Sequence, residues 1–463
     1  MNTKSTILGA GLLLCTMVSV NVYAQFVPDD AKPTCTVTES ELEGWFDASS
    51  IGATGIVSPP DGLTFDDSTD CNFYKWSWQM FLWAISPTKI EEGGTWVFDG
   101  KDFFDLESDG TLNNDSNLNV RAEKTDREGQ AGGSATLMSQ ARAITGNSSG
   151  SLIYYGIHIN DVYAYFNAGQ TSGVIEANEF PTTQDQLNAI TDYASKYFGV
   201  DIRDDLALTL EIKTSWVAVG GDADTSDYIT IDAQIPTYDT SSDTSWTENG
   251  TEDATLAMVG MHVVASVAGH PEMVWASFEQ VNNTPNASYT YENSSGAKVT
   301  VDSFNSGGTP LQSGWLLMSD TGNEADANIE NMTYDSSTTT ITAETDKKIS
   351  PSDTVRENPW GTDNDTETNT DIISINDSII SQLAAGDVRS NYALIGALWT
   401  NDGEIPPSST FTTNQTGSTK LANATMETYN QDDNCFSCHN GDPLSGLSHI
   451  WDDITPLTPP TTD

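Results

Sequence analysis

Positive charge is scarce in this chain. Across 463 residues, 18 Lys and Arg stand against 67 Asp and Glu, a formal net charge of −49. A surface of that sign displaces no counterions from nucleic acid or anionic lipid, so neither is expected as a partner. The acidic groups are spread along the sequence among Asn, Ser and Thr and read as a strongly hydrated surface. Any protein partner should present a basic patch and bind more weakly as salt rises. Beyond the N-terminus no apolar run is long enough to cross a bilayer, which argues against membrane insertion. There is no repeat of solenoid period and no clean linker between folded units. Nucleophile elbow, phosphate loop and metalloprotease helix are all missing. Large apolar side chains, by contrast, are plentiful: 12 Trp, 15 Tyr and 15 Phe suffice for a substantial core.

The N-terminus has the pattern of a secretory signal. Lys4 supplies a thin basic region, Ile7 to Val20 an apolar stretch, and Val22-Tyr23-Ala24 a small-residue cleavage site before Gln25. Residues 1–24 are therefore expected to be removed, leaving a periplasmic or extracellular protein. Five cysteines then divide without remainder. Cys15 leaves with the signal, and Cys35 and Cys71 are either a disulfide pair in an oxidising compartment or two buried thiols. The other two, Cys435 and Cys438, belong to a motif.

That motif is Cys435-Phe436-Ser437-Cys438-His439, the spacing of covalent haem c attachment. Two thiols three positions apart reach the two vinyl groups of one porphyrin, and the adjoining imidazole falls under the iron as proximal ligand. A structural zinc site would need two further Cys or His ligands, with only His449 nearby. A redox dithiol would need a thioredoxin-like surround that is missing here. With 24 residues after His439, the tail falls short of the roughly 40 at which even stapled domains fold. The upstream region must supply most of the pocket.

Three segments resemble a group of exported bacterial proteins labelled cytochrome c family and otherwise uncharacterised. They are Leu210 to Val219 (LEIKTSWVAV), Met258 to Pro285 (MVGMHVVASVAGHPEMVWASFEQVNNTP) and Leu421 to His439 (LANATMETYNQDDNCFSCH). The resemblance covers much of Ser151 to His449. It implies a haem c site on a larger β-rich body, with Cys435, Cys438 and His439 as the carried-over site and His262 and Trp275 to Glu279 in a shared core. It implies no substrate.

The sixth iron position separates a carrier from a catalyst. Small cytochromes place a Met several tens of residues after the motif, but here no Met follows Met426. Strand alternation puts Met258, Gly260 and His262 on one face, with Gly260 permitting close approach. His262 is the candidate second ligand, with Met258, His449, Met426 or an open position as alternatives. His270 and His158 are weaker candidates. Trp76, Trp78, Trp83, Trp216 and Trp275 are either porphyrin walls or ordinary core. Glu211, Lys213 and Glu279 read as surface salt-bridge residues or as groups facing haem propionates. The acidic run Asp363 to Asp371 lacks the turn glycine of a calcium loop and reads as solvated.

Periodicity predicts an aromatic helix over Asn72 to Ser86, a short strand at Thr95 to Asp99 and a polar excursion over Asp105 to Gly133. A strand (Ser151 to Asn160) and a helix (Asp161 to Ala168) follow, then a helix over Thr182 to Phe198 stopped by Gly199. Strands are expected at Leu206 to Val219, Tyr228 to Ile235 and Ala254 to Val267. Further on come a polar region over Gly322 to Asp371 with a strand at Thr338 to Ala343, helices at Ile372 to Ala385 and Ser418 to Asn430, and an extended Tyr392 to Thr400. The fold class is α+β: one large β-rich body (25–417) with peripheral helices and a short haem c attachment segment (418–463) docked on it. Three functions follow. A mono-haem c-type electron carrier is favoured, and a haem enzyme with an open distal side is the alternative, because the body is far larger than a carrier needs. A binding protein with haem as a redox tag is the third.

Overall fold

The structure, a computed structural model, describes residues 26–460 apart from 48–50, 53–54, 89–94, 115–117, 120–135, 147–149, 305–313, 324, 326, 329–330 and 411–412. The expected signal segment, with Lys4 and Cys15, lies outside the described residues, as does much of the polar excursion. Strands run in the order β1 (Phe103–Leu106), β2 (Leu112–Asn113), β3 (Leu118–Asn119), β4 (Ile153–Asn160), β5 (Leu210–Ala218), β6 (Thr230–Asp239) and β7 (Ser245–Val267). They continue with β8 (His270–Gln280), β9 (Tyr289–Glu292), β10 (Lys298–Val301), β11 (Met332–Asp335), β12 (Thr340–Ala343), β13 (Tyr392–Thr400) and β14 (Gln415–Gly417). The helices are α1 (Glu39–Trp45), α2 (Asp70–Ala84), α3 (Asp161–Thr171), α4 (Gln184–Phe198), α5 (Thr366–Ile380) and α6 (Cys435–Cys438). The protein is a β-rich α+β domain.

Twelve strands form one sheet along the path β14-β13-β8-β7-β5-β4-β1-β2, with β6, β12, β11 and β3 attached at its side. Its spine is β7, 23 residues long. The first half of β7 pairs with β6 and β12, the second half with β5 and β8. The β7–β8 connection is a two-residue hairpin, Ala268-Gly269, since Val267 pairs with His270. Gly269 has φ +81°, the left-handed backbone such tight turns require.

Helix α2 forms where the aromatic block predicts it and lies on one face of the sheet. Phe81 stacks on Phe278 with ring centroids 4.0 Å apart, Trp78 meets Phe278 edge-on at 5.1 Å, and Phe73 stacks on Trp399 at 4.0 Å. Helix α4 also matches expectation: Thr183 and Gln186 form a capping box and Gly199, at φ +70°, ends it. Cys35 and Cys71 are disulfide-bonded, tying the first described segment to the start of α2.

Several expected elements differ. Residues Val97–Asp99 form a 3₁₀ turn rather than a strand, because the Asp99 carboxylate accepts from Thr95 N at 2.9 Å and folds the chain on itself. Helix α5 starts six residues early, at Thr366, with Asp365 as its N-cap. Strand β8 was not anticipated, because His270-Pro271 reads as a turn whereas the turn precedes it. The expected helix over Ser418 to Asn430 is absent: the segment is a series of turns.

Candidate functional site

In an antiparallel sheet, directly paired residues share a face. The register therefore stacks three rows on one face of β5, β7 and β8: Glu211, Val264 and Trp275; then Lys213, His262 and Ser277; then Ser215, Gly260 and Glu279. This is the face opposite Phe278 and α2. Met258 does not belong to it. The pairing jumps from Ser215–Gly260 to Trp216–Met258, so Val259 is a bulge, and one extra residue reverses the alternation. Met258 consequently joins Trp216 in the core, against the simple alternation that grouped it with Gly260 and His262.

The C-terminal segment crosses this face. Asn423 Nδ2 donates to Ser277 Oγ at 3.1 Å, Thr425 Oγ1 meets Ser215 Oγ at 2.6 Å, and Ala424 N donates to Glu279 Oε1 at 2.9 Å. A Cβ on Gly260 would lie 2.7 Å from Thr425 Oγ1 and 2.9 Å from Asn423 Nδ2. Gly260 thus admits this stretch of chain rather than a porphyrin. The same contacts explain the missing helix: Asn423 Oδ1 accepts from Thr425 N and Oγ1, and Asn423 N donates to Glu427, so side chains take the backbone groups a helix needs. Glu279 is fully buried and paired with Arg356 at 2.5 Å, so it is a docking residue and not the surface salt bridge the sequence suggested.

Between segment and sheet lies a partly open cavity whose wall is mostly apolar, with a few polar groups converging on it, the make-up of a ligand or cofactor site. Cys435, Cys438 and His439 line one side, and His262, Lys213 and Trp275 the other. Asn434 caps α6 by accepting from Phe436 N, and buried Phe436 anchors it, meeting Trp275 at 6.0 Å. His439 Nδ1 donates to the Leu447 carbonyl at 2.6 Å, which leaves the lone pair on Nε2. Burial, reinforced by His449, pushes the imidazole pKa well below its usual range, so it is neutral and able to ligate. The Cys435 and Cys438 thiols are both pushed up, chiefly by burial. That is the reverse of an activated redox dithiol and compatible with thiols destined for thioether bonds. A neutral imidazole and two paired thiols facing one cavity are the donor set that a haem c requires.

The other candidates divide clearly. His262 lines the cavity, but its Nε2 is shared between the two oxygens of Glu427, at 3.2 and 3.1 Å. His449 stacks on His439 at 4.1 Å, nearly parallel, and its Nε2 meets the Cys438 carbonyl at 3.2 Å. No porphyrin fits between rings that close. Met426 is buried in a second apolar cluster with Tyr155 and Val259. His270 is held by Glu272 at 2.8 Å beside Phe73, and His158 bridges Asp105 and Thr214 at 2.6 and 3.1 Å. Both are buried structural histidines. Of the five tryptophans, Trp275 alone lines the cavity, its ring 4.4 Å from His439. Asp365 in the acidic run serves as a helix cap. Among the described residues no three His, Cys, Asp or Glu side chains gather into a metal-binding group, and no helix is long and apolar enough to cross a membrane.

Sequence reading missed Glu427, Leu447, Ser448 and Arg356. Their parts depend on the fold of the tail, which no periodicity announces. Comparison of the chain with protein-family models, curated proteins and solved structures gives no match.

Proposed function

We propose that the chain is an exported mono-haem c-type cytochrome that passes single electrons, working in the periplasm or outside the cell. The observation that carries the reading is the convergence of Cys435, Cys438 and a neutral His439 on one mostly apolar cavity. Cys435 and Cys438 would hold the porphyrin through thioethers, and His439 Nε2 would ligate the iron. The bound group supplies one-electron chemistry. Around it the protein does ordinary work: Leu447 orients the imidazole, Trp275 and Val264 exclude water, and the covalent link prevents loss through the open side. The acidic surface suits a redox partner with a basic patch. Purified mature protein should give a covalent haem stain and a pyridine haemochrome spectrum; a colourless protein ends the reading.

One observation favours the alternative, a haem enzyme with an open distal side. The His262 Nε2 is engaged by Glu427, while Met258 and Met426 are sequestered in the core. Carbon monoxide or cyanide binding decides between them. Rapid binding by the reduced protein supports the enzyme, and a low-spin spectrum indifferent to added ligand supports the carrier.

A further inference from the structure

We propose that Ser448 is a positioning residue for His439, clamped between Glu211 and Tyr163 so that the Leu447 carbonyl stays fixed on the imidazole; this rests on the haem reading above. Ser448 Oγ donates to Glu211 Oε2 at 2.6 Å, and Tyr163 Oη lies 2.7 Å from Ser448 Oγ. A serine hydroxyl has one proton to give. Since the Glu211 carboxylate takes it, the Tyr163 hydroxyl must be the donor to Ser448. The order of donation is therefore Tyr163 to Ser448 to Glu211. Ser448 and Tyr163 are fully buried, and burial together with the Glu211 charge holds the phenol well above its usual pKa, so it remains a donor.

The clamp acts on one peptide group. The Leu447–Ser448 peptide gives its N–H to the Leu444 carbonyl at 2.8 Å, and its C=O accepts from His439 Nδ1 at 2.6 Å. With the Ser448 side chain held from α3 on one side and β5 on the other, this peptide plane has no free polar group with which to turn. A firm Nδ1–H···O=C bond raises electron density at Nε2, the usual means by which an outer partner tunes a ligating histidine. It favours the oxidised metal.

The test is redox titration of the full-length holoprotein carrying Ser448→Ala or Tyr163→Phe, with melting curves alongside. Freed from the clamp, the carbonyl drifts, the imidazole donates less and the reduction potential rises. At the wild-type midpoint the ferrous to ferric ratio should increase by about threefold or more in Ser448→Ala, and by less in Tyr163→Phe. A lower melting temperature with an unmoved potential overturns the proposal, because a merely structural contact would do that. A second readout does not depend on haem. In the full chain expressed without covalent haem, NMR should find the His439 Nδ1 proton protected from exchange, and Ser448→Ala should speed its exchange by about tenfold. Unchanged exchange overturns the clamp, whereas a missing haemochrome spectrum in wild-type protein overturns only the haem reading.

Discussion

The two faces of β5, β7 and β8 are covered in contrasting ways. On one, α2 lays Phe81 and Trp78 against Phe278 with stacked and edge-on rings. On the other, an irregular stretch of chain is held by Asn423, Ala424 and Thr425 through hydrogen bonds to Ser277, Glu279 and Ser215. Ring packing tolerates small shifts because it is weakly directional, whereas a hydrogen bond fails over a fraction of an ångström. The apolar face stabilises the sheet; the polar face sets where His439 and the two cysteines lie. Stability and positioning are thus divided between the two sides of the same three strands.

That division is open to test by substitution. On the proposed haem reading, replacing both Cys435 and Cys438 with Ser should abolish covalent haem completely while leaving a cooperative melting transition, because the docking contacts lie upstream of the motif; haem staining and calorimetry check both halves. Arg356→Leu strands the buried Glu279 charge and should cost about 3–5 kcal/mol in denaturant titration, loosening the tail as well. Gly260→Ala forces a Cβ against Ser215, Asn423 and Thr425 and should cost ~1–3 kcal/mol, with a shift in the visible spectrum of the holoprotein. Smallest at the site, Phe81→Leu on the opposite face removes a buried ring stacked on Phe278, should cost about 1–3 kcal/mol of stability and should leave that spectrum unchanged. A spectral change in Phe81→Leu, or none in Gly260→Ala, would break the division.

Much of the sheet was legible because β13 and the second half of β7 are rich in Val, Leu, Ala and Met, a pattern set by burial on both faces, while β5 places Leu210, Ile212, Trp216 and Val217 among polar residues. Helix α2 was legible from its density of aromatic residues and α4 from Leu187, Ile190, Tyr193 and Ala194 at helical spacing, with Gly199 marking the end of α4. The site was legible only in part. Cys435, Cys438 and His439 are adjacent in sequence, so their spacing alone carries the chemistry. His262 was placed on the correct face, yet its neighbour Met258 was not, because a one-residue bulge at Val259 leaves no mark in a pattern of period two. The tail eluded prediction for a related reason. Asn423, Thr425 and Glu427 are residues that a helix tolerates, and only the sheet beneath them makes turns the better arrangement.

The long central strand has a dynamic consequence. From Leu256 to Ala265 most of β7 is hydrogen-bonded on both flanks, and amides in such a position exchange with solvent only when the whole domain opens. His262 and Val264 are set in that stretch, so this wall of the cavity cannot breathe independently. Any fluctuation that widens the cavity, to admit a small molecule or expose an edge to a partner, has to come from the turns of the C-terminal segment.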